Sequence, residues 1–175
     1  ASIHFTDSAN PSSWDSSTIV LNNSSSPYDL GGQDLPLSVG TLGISSPDRG
    51  YTVGANVDQR YVWISETLSE DMTLVPGPLG ADTTYLTRTD VTITSGNTLT
   101  MGDNTVLKLA GGHKVTVNDG GTLLVNATVG NEAVFTSVND DLYGGDTLGD
   151  GPSNGARGDW DRISYNNNST IDIDH

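Results

Sequence analysis

Short apolar runs that alternate with polar residues dominate the second half of the chain. Val91 and Ile93 flank Thr92, while Leu99 and Met101 alternate with threonines, and Gly, Asn or Asp bound each run. Alternation with a period of two is the pattern of a strand with one buried face, and the bounding residues favour turns. No helix-length segment places apolar residues at helical spacing. The sequence therefore predicts an all-β protein.

This three-part pattern recurs about 24 residues further along the chain. The strands at 91–93, 99–101 and 107–109 are repeated at 115–117, 123–125 and 133–135. Three short strands per turn, with turn glycines at the same period, favour a right-handed parallel β-helix. A meander of β-hairpins would give similar alternation and stays open as the alternative.

The β-helix interpretation makes specific claims about which side chains stack. It places Ile93 beneath Val117, Leu99 beneath Leu123, and Leu109 near Phe135. Lys108 lies between two leucines, so the alternation places it on the outside of the coil, away from the core. These pairings would differ in an antiparallel meander, because neighbouring strands would then run in opposite directions.

A further coil begins near the end of the sequence. Ile163 and Tyr165 resume the first strand, and Ile171 and Ile173 resume the second. Residues 138–160 are too many for a plain corner and predict an insertion. The predicted organisation is an irregular β-rich N-terminal or capping region at 1–60, followed at 61–175 by a short β-helix of about three coils.

The incomplete last coil predicts an association surface. It would leave backbone N–H and C=O groups and an apolar cross-section uncovered. Further coils of a longer chain would cover that edge, as would a second copy of the protein. Copies that stack head to tail form an open-ended filament, which makes a homo-oligomer or polymer the expected partner.

Charge and composition exclude several other classes of protein. The 22 acidic residues outnumber the 7 basic ones, for a formal net charge of −15. A phosphate backbone would be repelled, so no nucleic-acid partner is expected. The chain has no cysteine, which excludes disulfides and thiolate metal sites. No apolar run approaches the roughly 20 residues of a membrane-spanning helix.

Several stretches taken together resemble a known class of domain. The last two of these stretches read Gly-Gly-Asp-Thr-Leu-Gly-Asp-Gly and Gly-Asp-Trp. The stretches begin at Val91, Val106, Gly120, Val134, Asp140, Gly144 and Gly158. They resemble the right-handed parallel β-helix repeat domains of large secreted or surface-attached bacterial proteins. The resemblance covers residues 83–175 and implies an extracellular or cell-surface location with a non-catalytic adhesin, stalk or filament role. Because the fold also carries polysaccharide lyases, a carbohydrate-binding or polysaccharide-cleaving module is the alternative.

The insertion holds the best candidate metal site. Its aspartates include Asp140, Asp141, Asp146 and Asp150, on a glycine-rich stretch. Carboxylate and carbonyl oxygens are the ligands that calcium prefers, so these residues predict a calcium site. The alternative is a solvated loop whose aspartates accept hydrogen bonds from their own backbone.

Other candidate sites are sparser. Trp160, beside the insertion, is a candidate for stacking on a sugar ring or for filling the corner where the insertion rejoins the coil. Neither a Gly-x-Ser-x-Gly nor a His-Glu-x-x-His motif occurs, and no catalytic residue is predicted. Glycosylation motifs occur at Asn22, Asn23, Asn126, Asn167 and Asn168.

Overall fold

The structure is a computed structural model, and over the residues it describes the chain forms β-strands joined by turns and loops, without a helix. It describes residues 3–4, 19–21, 28–29, 51–53, 61–64, 66–68, 71–74, 76, 84–87 and 89–174. Among these residues no helix is long and apolar enough to cross a membrane. The strands are β1 Ile3–His4, β2 Ile19–Leu21, β3 Tyr28–Asp29, β4 Tyr51–Val53, β5 Tyr61–Trp63, β6 Glu66–Leu68, β7 Met72–Leu74, β8 Thr84–Thr87, β9 Val91–Ile93, β10 Thr98–Gly102, β11 Val106–Leu109, β12 Val115–Val117, β13 Thr122–Asn126, β14 Val134–Ser137, β15 Ile163–Tyr165 and β16 Thr170–Asp174.

Successive strands enter three stacked parallel sheets in turn. Sheet I contains β6, β9, β12 and β15, and sheet II contains β7, β10, β13 and β16. Sheet III runs β1-β3-β5-β8-β11-β14. From β6 onward the chain therefore makes three full turns, and β15 and β16 start a fourth. This is a parallel β-helix, as predicted, and the parallel pairing excludes a hairpin meander over these strands.

The stacking of inward side chains follows the predicted register with one correction. Ile93 pairs with Val117 and Leu99 with Leu123, as expected. The expected neighbourhood of Leu109 and Phe135 is wrong, because Phe135 pairs with Leu107. The corner between β13 and β14 is longer than the corner between β10 and β11. That longer corner shifts the third strand, so that Phe135 stacks on Leu107, the inward residue before Leu109.

The inward faces of the three sheets form one continuous apolar core. Each rung buries its side chains against the rungs above and below it, so the stack stabilises strands that are too short to be stable alone. The core residues that are fully buried in this stack are Ile93, Leu99, Met101, Leu107, Leu109, Val115, Val117 and Leu123.

Parallel pairing is also present on the N-terminal side of the expected domain boundary. Strands β1 and β3 extend sheet III ahead of β5, and β2 pairs in parallel with β4. The same sheet thus runs across residue 60, where the sequence suggested that the β-helix begins.

Candidate functional site

The outer face of sheet III is covered by protein, whereas the outer face of a β-helix ordinarily contacts solvent. Leu86, Lys108 and Thr136 are neighbours in register on this face. All three are buried, and Leu86 and Lys108 have no exposed surface. Strand β8 is buried along its whole length, with none of the alternation seen in β9. Something must therefore lie over the outward row.

The cover is the insertion that follows β14. Gly144 lies against Thr84 so closely that a Cβ at that position would stand 2.0 Å from the Thr84 Cγ2 atom. Gly144 also has a φ of +70°, which favours glycine. Thr147, itself buried, brings its hydroxyl to 3.4 Å from the Thr84 hydroxyl. The insertion thus packs on the outer face of β8 and β11.

Lys108 is the charged residue beneath this cover. Its Nζ donates a hydrogen bond to the carbonyl oxygen of Gly145 at 2.7 Å and lies 3.9 Å from the Asp141 Oδ1. Desolvation by burial lowers the pKa of Lys108 and outweighs the attraction of the nearby carboxylates, Asp141 first among them. The alternation placed Lys108 on the outside of the coil, and the insertion removes it from solvent.

Two of the predicted metal ligands hold the base of the insertion. Asp140 is buried and accepts hydrogen bonds from the Thr136 hydroxyl and from the backbone N–H of Leu142. The Asp141 Oδ2 accepts the N–H of Ser153 at 2.6 Å, and the Ser153 hydroxyl lies 3.0 Å from the same oxygen. These bonds tie the two ends of the insertion together.

The other two predicted ligands lie in the turn at its tip. Asp146 accepts N–H hydrogen bonds from Gly149, Asp150 and Gly151. Desolvation raises the pKa of Asp146, but those three donors and Lys108 together lower it below its ordinary value. The Asp150 side chain is exposed, and its backbone N–H supplies one of the three donors.

The hydrogen bonds of the aspartates bear directly on the predicted calcium site. Within the part of the chain that the structure describes, no group of three or more acidic or histidine side chains is placed to hold a metal ion. Asp140, Asp141 and Asp146 use their oxygens to accept hydrogen bonds from the chain itself. An ion would have to displace or share these donors, so calcium stays a prediction.

The remaining sequence candidates are placed as follows. Trp160 is half-buried and packs against the apolar core, where the insertion rejoins the coil. Asn126, Asn167 and Asn168 are exposed. Asn22 and Asn23 lie outside the described residues. The contact of Trp160 with the core is the corner-filling arrangement that the sequence left open beside sugar stacking.

Sequence reasoning missed a groove beside the insertion. A cavity of 310 Å³ is lined by Asn104, Val106, Glu132, Val134 and Tyr143. Tyr143 is 47% exposed and belongs to the insertion, whereas the other four residues belong to β11, β14 and their corners. No local pattern could reveal this groove, because it forms only when the insertion returns to sheet III.

The fold assignment rests on the pairing of the strands. Parallel strands stacked in three sheets fit a β-helix-like fold. No protein-family model, curated protein or solved structure matches the chain.

Proposed function

We propose that the chain is a non-catalytic structural module of an extracellular or cell-surface protein, whose last coil pairs with a further β-helical coil. One observation carries this proposal. Among the described strands, β15 and β16 each have a neighbour on one side only. Each carries an exposed apolar side chain, with Tyr165 70% and Ile173 57% exposed. Such an edge is a template for another strand.

The hydrogen-bond directions identify what fits the edge. The N–H groups of Asn166 and Thr170 donate to the coil below, to Val117 O and Gly121 O. The carbonyl oxygen of Asp174 accepts the N–H of Ala127 in that same coil. In a parallel ladder the backbone groups of successive residues face alternate sides, so those of Ile171 and Ile173, which alternate with Thr170 and Asp174, face the open side. A strand running parallel satisfies them, and another coil of the same kind supplies one.

The chemistry of the buried groups supports a structural role over a catalytic one. Lys108 is the most deeply buried charged side chain of the described residues, and it lies under the insertion, where no substrate reaches it. The aspartates around it accept hydrogen bonds from the protein itself. The surplus of acid and the resemblance to surface-attached β-helix domains support the extracellular assignment.

Sedimentation velocity over a range of protein concentrations tests the pairing. We expect the chain to associate as its concentration rises, and to form head-to-tail filaments visible by electron microscopy. Ile173→Lys should abolish association, because it places a charge on the apolar edge. Asn167→Lys is the matched control, since it adds the same charge at an exposed turn residue. A wild-type chain that stays monomeric at all concentrations would contradict self-association.

The groove beside the insertion favours carbohydrate binding as the second candidate function. An exposed tyrosine ring next to an amide and a carboxylate suits a sugar, because the ring offers an apolar face while Asn104 and Glu132 offer polar groups. A glycan array tests it. Tyr143→Ala should abolish any signal, and Tyr165→Ala, which removes an exposed tyrosine elsewhere, should preserve it.

A further inference from the structure

An amine and a carboxyl group meet in a space from which water is largely excluded. The Lys108 side chain has no exposed surface, and the Asp141 side chain is 12% exposed. The Lys108 Nζ lies 3.9 Å from the Asp141 Oδ1. The hydrogen bond to the Gly145 carbonyl holds the amine beside the carboxyl group, and the Ser153 N–H holds the other carboxyl oxygen.

We propose that Lys108 and Asp141 join as an intramolecular amide that fastens the insertion to β11. The Nζ–Cγ bond forms and the Cγ–Oδ1 bond breaks. Two protons pass from the ammonium nitrogen to Oδ1, which leaves as one molecule of water. The charges of the ammonium and the carboxylate cancel in a neutral amide, so the step needs no oxidant, reductant or second reactant.

Two features of the site favour this step. The fold holds the two groups together, which replaces a bimolecular encounter by an intramolecular one. The Ser153 N–H, 2.6 Å from Oδ2, is placed to stabilise the negative charge that this oxygen carries in the tetrahedral intermediate.

The product also relieves an unfavourable arrangement. A buried ammonium costs free energy even when a carboxylate is near, because the attraction only partly offsets desolvation. The amide removes both charges and leaves the cover in place. The link would hold the insertion on the outer face of sheet III even when the hydrogen bonds around it open.

The mass of the intact, denatured full-length chain tests the proposal. We expect a mass lower than the sequence mass by one water, and a cross-linked peptide that joins Lys108 to Asp141. Asp141→Asn should lose ammonia in place of water and reach the same cross-linked product mass as the wild type. Lys108→Arg should show the full sequence mass, while Lys114→Arg should still lose one water.

Two outcomes would overturn the proposal. One is a wild-type mass equal to that of the sequence. The other is a loss of water that peptide mapping places at Asp119–Gly120 or Asp150–Gly151, where an aspartate beside a glycine can cyclise without any lysine. A loss of water by aspartate cyclisation would persist in Lys108→Arg, whereas the loss of water from the Lys108–Asp141 amide would not. Neither readout depends on whether the chain associates or binds sugars.

Discussion

The outer faces of sheets I and III have the same strand pattern and opposite environments. On sheet I, Thr92, Thr116 and Ser164 form an outward row that is half-exposed, and the hydroxyls of Thr116 and Ser164 lie 3.0 Å apart. The corresponding row of sheet III, formed by Leu86, Lys108 and Thr136, is buried beneath the insertion. The strand pattern therefore fixes the direction of a side chain, and the cover above it fixes whether that side chain meets water.

This difference changes what a substitution on each face should do. On sheet I an outward residue is replaceable at small cost, because most of its surroundings are solvent. On sheet III an outward residue contacts a second layer of protein, so its replacement should disturb the insertion. The inward core is the reference for the cost of a substitution on either face, because its side chains are buried in every rung.

The largest effect is expected in the core. Leu123→Ala should lower the free energy of unfolding by about 2–5 kcal/mol, because it leaves a cavity between the side chains of neighbouring rungs. Leu124→Ala, at the outward half-exposed neighbour, should cost less than about 1 kcal/mol. Urea denaturation measures both, and equal losses would contradict the assignment of inward and outward positions.

The contact between the insertion and β8 should be the next most sensitive. Gly144→Ala should cost about 1–3 kcal/mol beyond its backbone strain, because its Cβ would overlap Thr84. Gly145→Ala is the control, because its φ of +72° is similar but no atom lies within 4 Å of the added Cβ. The control should show only the backbone strain of about 1–2 kcal/mol.

Hydrogen exchange gives the clearer readout of this pair. The backbone amides of Thr84 and Leu86 should lose protection in Gly144→Ala and keep it in Gly145→Ala. Loss of protection in both variants would show that the turn conformation, and not the overlap, holds the insertion down.

Removing the buried amine should have a moderate effect. Lys108→Met should cost about 1–2 kcal/mol, because it deprives the Gly145 carbonyl of its hydrogen-bond donor. Lys114→Met removes only a surface contact, with Asp90 at 3.8 Å, and should cost less than about 0.5 kcal/mol. Thermal unfolding with exchange at residues 140–151 measures both changes.

Acid should loosen the tip of the insertion. The folded pKa of Asp146 lies below its ordinary value of 3.8, so the stability that its carboxylate contributes is present above that pH. It is lost as the pH falls through the folded pKa. The amides of Gly149 and Gly151 should then exchange faster in the wild type. In Asp146→Ala they should exchange fast at every pH, whereas Asp150→Asn should behave as the wild type.

Calcium should have the smallest effect. The aspartates of the insertion already accept hydrogen bonds from the chain, and an ion that binds them must displace or share these donors, so calcium should raise the melting temperature only slightly. A rise that is absent from Asp146→Asn would support the metal site that the acidic sequence predicts, and an unchanged melting temperature would contradict it.

The candidate site shows where sequence reasoning stops. The aspartates were identifiable, because acidic residues among glycines point to either metal binding or turn capping. Their partner Lys108 was not identifiable, because it lies in another coil and no residue near it in sequence indicates which segment covers it. The groove at Tyr143 was not identifiable either, because it forms between segments that are distant in sequence.

The repeat pattern is enough to predict the inward face and the stacking of the regular rungs. Alternation with a period of two sets which side chains face inward, and the 24-residue repeat pairs Ile93 with Val117, as the structure does. The cover on the outside follows from the tertiary fold alone, because burial on an outer face depends on a segment that is distant in sequence. The register of Phe135 also follows from the fold, because a corner of irregular length, not the strand pattern, sets it.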